Sequence, residues 1–202
     1  MDKKLTLKKV AIIVLMAVAY LATFILGAAS GAIHPACYAY IGAVLPILTA
    51  FIYLYTCTLI PRFGAATVLN GFILVLFLVV GEADLFCVIG MVVITALAEI
   101  LRKAKGYDTK KVVRWSFVPF AFSFFTYISH WWTDTEGSLA AAIEEMPAGY
   151  DQLMLPVIEN IPMLVVVLVL TIPAAILAMR LAERVMKLKI ENFRQSDNQT
   201  LG

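Results

Sequence analysis

Leu59–Lys111 reads LIPRFGAATVLNGFILVLFLVVGEADLFCVIGMVVITALAEILRKAKGYDTKK, and this stretch decides the fold. Phe63 to Val80 is an unbroken apolar run that stops at Gly81-Glu82. Leu85 to Leu101 is a second, ending at Arg102-Lys103. Runs of this length cross a hydrocarbon core of roughly 30 Å when they are helical. Acids occupy the turn between the two runs. Bases occupy both outer ends, with Arg62 on one side and Arg102, Lys103, Lys105, Lys110 and Lys111 on the other. The pattern predicts a helical hairpin that presents charge of opposite sign at its two ends.

The same pattern continues outward. Further apolar runs span Val10 to Ala32, Tyr38 to Ile60, Val112 to Trp132 and Pro156 to Met179. The chain is 62% hydrophobic and 15% charged, whereas a soluble domain is nearer half apolar and a quarter charged. Lipid is therefore the expected solvent. Backbone groups must be satisfied inside a bilayer, so the runs are expected to be helices. The expected fold is all-α, a bundle of six transmembrane helices forming one domain over residues 1–190. Residues 133–155 form an outer loop, and residues 191–202 a polar tail expected to fray. No cleavable signal peptide is expected, because the first apolar run is too long. Pro46, Pro119 and Pro173 fall inside runs and are expected to kink them.

Orientation follows from the placement of charge. With the N-terminus cytoplasmic, all 16 Lys and Arg fall on the cytoplasmic side. Glu82, Asp84, Asp134, Glu136, Glu144, Glu145, Asp151 and Glu159 fall on the other. Lys and Arg bias in short loops sets topology, so both termini are expected in the cytoplasm. No nucleic-acid partner is expected.

Chemistry-bearing motifs are few. There is no P-loop, no HExxH and no GxSxG, and an enzyme is not expected. Cys37, Cys57 and Cys87 are widely spaced and imply neither a disulfide nor a metal site. Glu99 is expected to pair with Arg102 and reach the interface, and Asn70 to bond to a neighbouring helix. Leu139, Ile143 and Met146 share one face of a short amphipathic helix in the outer loop, which either anchors the loop or covers a site. Both histidines fall on the outer side. His34 and His130 are joined there by Tyr38, Tyr127, Trp131, Glu82, Glu159 and Asn160, which could converge on a binding pocket. His34 and His130 could ligate haem iron, and the acidic rim would favour a cationic ligand.

The stretch quoted above resembles the substrate-binding S component of energy-coupling factor (ECF) transporters, and within them the branch labelled Trep_Strep. PRFGA opens the third helix, a Gly-Glu turn ends it, and AEILRKAKGY closes the fourth. The resemblance extends over essentially the whole chain. It implies capture of a micronutrient outside the cell, with haem or another tetrapyrrole as the best single guess, and ATP-driven uptake with a transmembrane coupling protein and two cytoplasmic ATPases. It also implies docking through small residues of the first helix, here Ala11, Ala19, Ala22 and Thr23. Two readings of another class stay open: a small membrane enzyme acting on lipids or isoprenoids through Glu82 and Asp84, and an accessory subunit without a ligand.

Overall fold

The computed structural model describes residues 7–104, 106–107 and 110–200. Lys3, Lys4 and Lys105, counted in the basic set above, lie outside the described residues, as does the end of the polar tail at residues 201–202. Among the described residues every regular element is a helix. The order is α1 (Leu7–Ala29), α2 (Pro35–Tyr40), α3 (Pro46–Leu59), α4 (Ala65–Val80), α5 (Leu85–Ala104), α6 (Lys110–Phe120), α7 (Ser123–Tyr127), α8 (His130–Thr133), α9 (Thr135–Glu145), α10 (Tyr150–Glu159) and α11 (Ile161–Thr200).

Three of the six expected runs are not single helices. The run from Tyr38 to Ile60 breaks at a 3-10 turn over Ile41–Ala43, and its two pieces meet at 42°. Pro46 takes the first turn of α3, where its missing N–H costs nothing. The run from Val112 to Trp132 breaks twice, after Phe120 and after Tyr127. Pro119 cannot donate within α6. Beyond it Ser123, Thr126 and Ser129 each turn a hydroxyl onto the carbonyl three residues back, at 2.7, 2.7 and 2.8 Å. Those hydroxyls compete with backbone N–H groups for the same acceptors, which favours short turns over a continuous helix. The last run starts earlier than Pro156, which lies inside α10. Asn160 then breaks the chain, and its Oδ1 accepts from Met163 N at 3.1 Å to open α11. The segment expected to fray is helical as far as Thr200.

Among the described residues three helices are long and apolar enough to cross a membrane: Leu7–Ala32, Leu85–Ala104 and Ile161–Lys187. The bent pair Pro35–Ala43 and Pro46–Leu59 makes a fourth if counted as one span. α4 is apolar apart from Thr67 and Asn70 but has 16 residues, about 24 Å at the usual rise. Large apolar side chains such as Leu15, Ile25, Val79, Val169 and Leu177 point outward and remain exposed. Water would penalise such a coat, whereas lipid tails solvate it.

The long helices pack in a ring, α1 against α4, α4 against α5, α5 against α6, α6 against α11, α11 against α3 and α3 against α1. Tyr20, Tyr53, Phe117 and Phe120 fill the middle, with Tyr53 and Phe120 ring centroids 4.5 Å apart. The alanine ladder of α11 packs within the chain, because Ala178 and Ala182 are buried. Gly27 does the same for α1: a Cβ there would overlap the Phe124 ring. Asn70 is fully paired across helices. It accepts from the Tyr20 phenol at 2.9 Å and donates to Thr95 Oγ1 at 2.9 Å and Ser123 Oγ at 3.0 Å.

Glu99 does not reach the interface. It is 1% exposed, and Arg102 is 0% exposed. Glu99 Oε1 accepts from Ala66 N at 2.7 Å, capping the first turn of α4 from another helix. Arg102 pairs with Glu99 Oε2 at 3.3 Å, donates through Nη2 to Ile60 O at 2.8 Å, and lies 5.4 Å from the centre of the Tyr107 ring. The PRFGA turn is thus held by the AEILRKAKGY segment. Gly64, at φ 121, supplies the conformation the turn needs. At the same end of the bundle Arg114 pairs with Glu183 through both carboxylate oxygens.

Candidate functional site

The other end of the bundle opens into a cavity of about 740 Å³. Its floor and walls come from the broken region. α2 brings Tyr38, the turn after α4 brings Glu82 and Asp84, and α7 and α8 bring Tyr127, His130 and Trp131. α9 closes one side with Ser138, Ala142 and Glu145, and α10 adds Tyr150 and Met154. Tyr127, His130 and Trp131 stand at i, i+3 and i+4, a spacing that keeps them on one side of the segment across the break after Tyr127.

The walls are aromatic. Tyr38 and Trp131 rings lie 4.9 Å apart, Phe77 backs Tyr127 at 4.6 Å, and Tyr127 meets His130 edge-on at 6.1 Å. His130 Nδ1 lies 2.9 Å from Tyr127 O. A carbonyl only accepts, so Nδ1 carries the proton in this bond, and Nε2 is the ring nitrogen left over. The Tyr127 phenol donates to Glu82 Oε2 at 3.4 Å. Tyr150 donates to Gly31 O at 3.0 Å and ties α10 to the end of α1. Burial raises its phenol pKa, so it stays a neutral donor.

Four carboxylates border the cavity: Glu82, Asp84, Asp134 and Glu145. None of the residues around it is Lys or Arg. Two of the acids are committed to helix starts. Asp84 Oδ1 accepts from Cys87 N at 2.6 Å in the first turn of α5, and Asp134 Oδ1 accepts from Gly137 N at 3.1 Å as the cap of α9. Glu82 and Glu145 follow or close the C-terminal turns of α4 and α9, where a helix already concentrates negative potential.

Five of the residues singled out from sequence line this cavity: Tyr38, Glu82, Tyr127, His130 and Trp131. His34, Glu159 and Asn160 do not. His34 is exposed and its Nδ1 accepts from Ala36 N at 3.1 Å, so it serves as the cap of α2. Asn160 caps α11, and Glu159 is exposed. The two imidazoles therefore do not face one another across the cavity. Among the described residues no group of three or more His, Cys, Asp or Glu side chains is arranged to hold a metal ion. On α1, Ala11 and Ala22 are exposed and Ala19 is half-buried, whereas Thr23 is buried and donates to Tyr20 O at 2.6 Å.

The short helix expected in the outer loop is α9. Of the face read from sequence, Leu139 and Met146 pack against the core and Met146 borders the cavity, whereas Ile143 is 65% exposed. The face toward the cavity carries Gly137, Ser138, Ala141 and Ala142. Small side chains let this helix sit close, and Ser138 Oγ donates to His130 O at 3.1 Å. The available signal was the small-residue spacing of GSLAAA, which apolar periodicity overlooks.

A family model described as a hypothetical bacterial integral membrane protein, Trep_Strep, matches residues 7–190. The chain belongs to that family. No curated protein and no solved structure matches it.

Proposed function

We propose that this member of the Trep_Strep family is the ligand-capturing subunit of an ECF-type importer in the bacterial plasma membrane. It crosses the bilayer six times, counting α4 and the jointed α6–α8 segment as spans, and keeps both termini in the cytoplasm. The cavity then faces outward and receives a small molecule. A coupling protein and two ATPases engage the basic end. The observation that supports this reading is the aromatic cavity of about 740 Å³ at the end of the bundle opposite the Arg102 and Arg114 ion pairs. That volume suits a vitamin-sized ligand.

The exposed stripe of α1 that carries Ala11 and Ala22 is the docking face in this reading, with Ala19 at its edge. Thr23 supports the bundle instead. Coexpression of the tagged chain with an ECF coupling module tests the assignment. The expected result is a stable four-component complex whose ATP hydrolysis requires the chain. A chain that purifies alone, with no effect on the module's ATPase, overturns it. Ala22→Trp should weaken the complex while leaving the isolated chain folded.

Haem is the second ligand reading. His130 and the aromatic walls favour it, since one imidazole acceptor and an apolar slot are what an axial ligand site needs. Against it stands the lining charge, because haem carries two propionates and the cavity offers them no cationic partner. A Soret titration of the wild type and His130→Ala decides between them. A lipid or isoprenoid enzyme would instead lose turnover, and keep binding, in Glu82→Gln.

A further inference from the structure

The unbalanced charges of the cavity identify the class of its ligand. Acids near a helix start are compensated by the N–H groups they cap, and Asp84 and Asp134 are of that kind. Glu82 and Glu145 are of the other kind. Each sits where the C-terminal carbonyls of a helix make the potential more negative. The only hydrogen-bond donor found for Glu82 among the described residues is the Tyr127 phenol, at 3.4 Å. Among the described residues no Lys or Arg borders the cavity.

The walls supply the complementary half. Tyr38, Tyr127 and Trp131 all border the cavity, and aromatic faces attract cations through the ring quadrupole. They stack on flat rings as well. A neutral ligand would leave both carboxylates without a counter-charge, and an anion would add a further like charge.

We infer that the cavity takes an organic cation with a flat ring, held between the aromatic wall of Tyr38, Tyr127 and Trp131 and the carboxylates of Glu82 and Glu145. This rests on the proposal that the cavity captures a ligand, and it adds the ligand's charge and shape. Tyr127 has two parts in it. Its ring forms wall, and its hydroxyl holds Glu82 in place.

The test uses two probes with the same ring and opposite charge, N-methylquinolinium and quinoline-2-carboxylate. Both are titrated into the isolated wild-type chain in a nonionic detergent, with tryptophan fluorescence as the readout. The quinolinium is expected to quench saturably and to bind at least about tenfold more tightly than the carboxylate, the size of one such charge contact. Glu82→Gln and Glu145→Gln should each weaken the cation several-fold without weakening the anion. Tyr127→Phe should keep quenching while losing part of the affinity.

Equal or tighter binding of the carboxylate overturns the inference. So does the absence of quenching by either probe, or cation affinity that both Gln variants leave unchanged. Haemin binding that His130→Ala abolishes and that quinolinium does not displace overturns it too. Cation binding in a chain that fails to join the ECF module strikes the importer reading alone. Preference for the anion in a chain that does join it strikes only this inference.

Discussion

The two ends of the bundle handle charge in opposite ways. At the Arg102 end the ion-paired groups are spent on structure. Glu99 caps α4 and pairs with Arg102, Arg102 holds Ile60 O, and Arg114 holds Glu183. At the cavity end, Glu82 and Glu145 are exposed, sit at the unfavourable ends of helices and pair with no Lys or Arg among the described residues. The helices differ likewise. α4, α5 and α11 run unbroken into the Arg102 end, while α2, α7 and α8 are fragments of four to six residues around the cavity. One end is built to hold its shape, and the other leaves interactions to be completed from outside.

Breaking the charged clamp should have the largest effect on stability. Glu99→Ala leaves a fully buried guanidinium with no carboxylate and removes the cap from α4. The expected cost is about 3–5 kcal/mol, the range found when one partner of a buried pair is removed. Thermal unfolding in detergent should show a collapse in midpoint or loss of folded protein. Glu99→Gln, which can still cap Ala66 N, should fall between. A Glu99→Ala chain that melts like the wild type would mean the Arg102 end is not the rigid one.

A smaller effect is expected where the two regions meet. Gly27 abuts the Phe124 ring, which is hemmed in by Phe24, Tyr38 and Tyr127 at 5.5, 6.0 and 6.1 Å. The ring has little room to yield, so Gly27→Ala overpacks the core and should cost about 1–3 kcal/mol. Because Tyr38 and Tyr127 are also cavity wall, the same substitution should lower quinolinium affinity. A stability loss with unchanged binding would show that the wall is insulated from the core beneath it.

The Arg102 end was largely legible from sequence, for a physical reason. Charge asymmetry and apolar length are properties of whole segments, and they survive errors in any one residue. The local Glu99–Arg102 spacing announced a pair, although its burial under the PRFGA turn depends on contacts from α3 and α4 that no local pattern encodes. The cavity end was legible only in part. Tyr38, Glu82, Tyr127, His130 and Trp131 could be assigned by depth, but depth says nothing of azimuth, and His34, Glu159 and Asn160 at similar depth point elsewhere. The breaks in this run go with Ser123, Thr126 and Ser129 turning their hydroxyls onto backbone carbonyls, a competition decided within a single turn. α9 was legible as a helix beside the site, but the small residues of its inner face, Gly137, Ser138, Ala141 and Ala142, were not, because apolar periodicity passes over them.

The smallest expected effect separates the two ends most cleanly, because its sign is reversed. An acid kept for structure should cost stability when neutralised, as Glu99 does. Glu145 closes α9 at its negative end, beside Glu144 and facing the same cavity as Glu82. Neutralising it removes repulsion and an unfavourable contact with the helix dipole. Glu145→Gln should therefore leave the melting midpoint unchanged or raise it slightly, within about 0.5 kcal/mol as for other exposed substitutions. The gain should shrink as salt is added, since exposed charges are screened. Saturating quinolinium should remove it, because the bound cation supplies to the wild type what the substitution supplies to the variant. If Glu145→Gln instead destabilised the chain, Glu145 would belong with Glu99 among the structural acids, and the contrast between the two ends would rest on Glu82 alone.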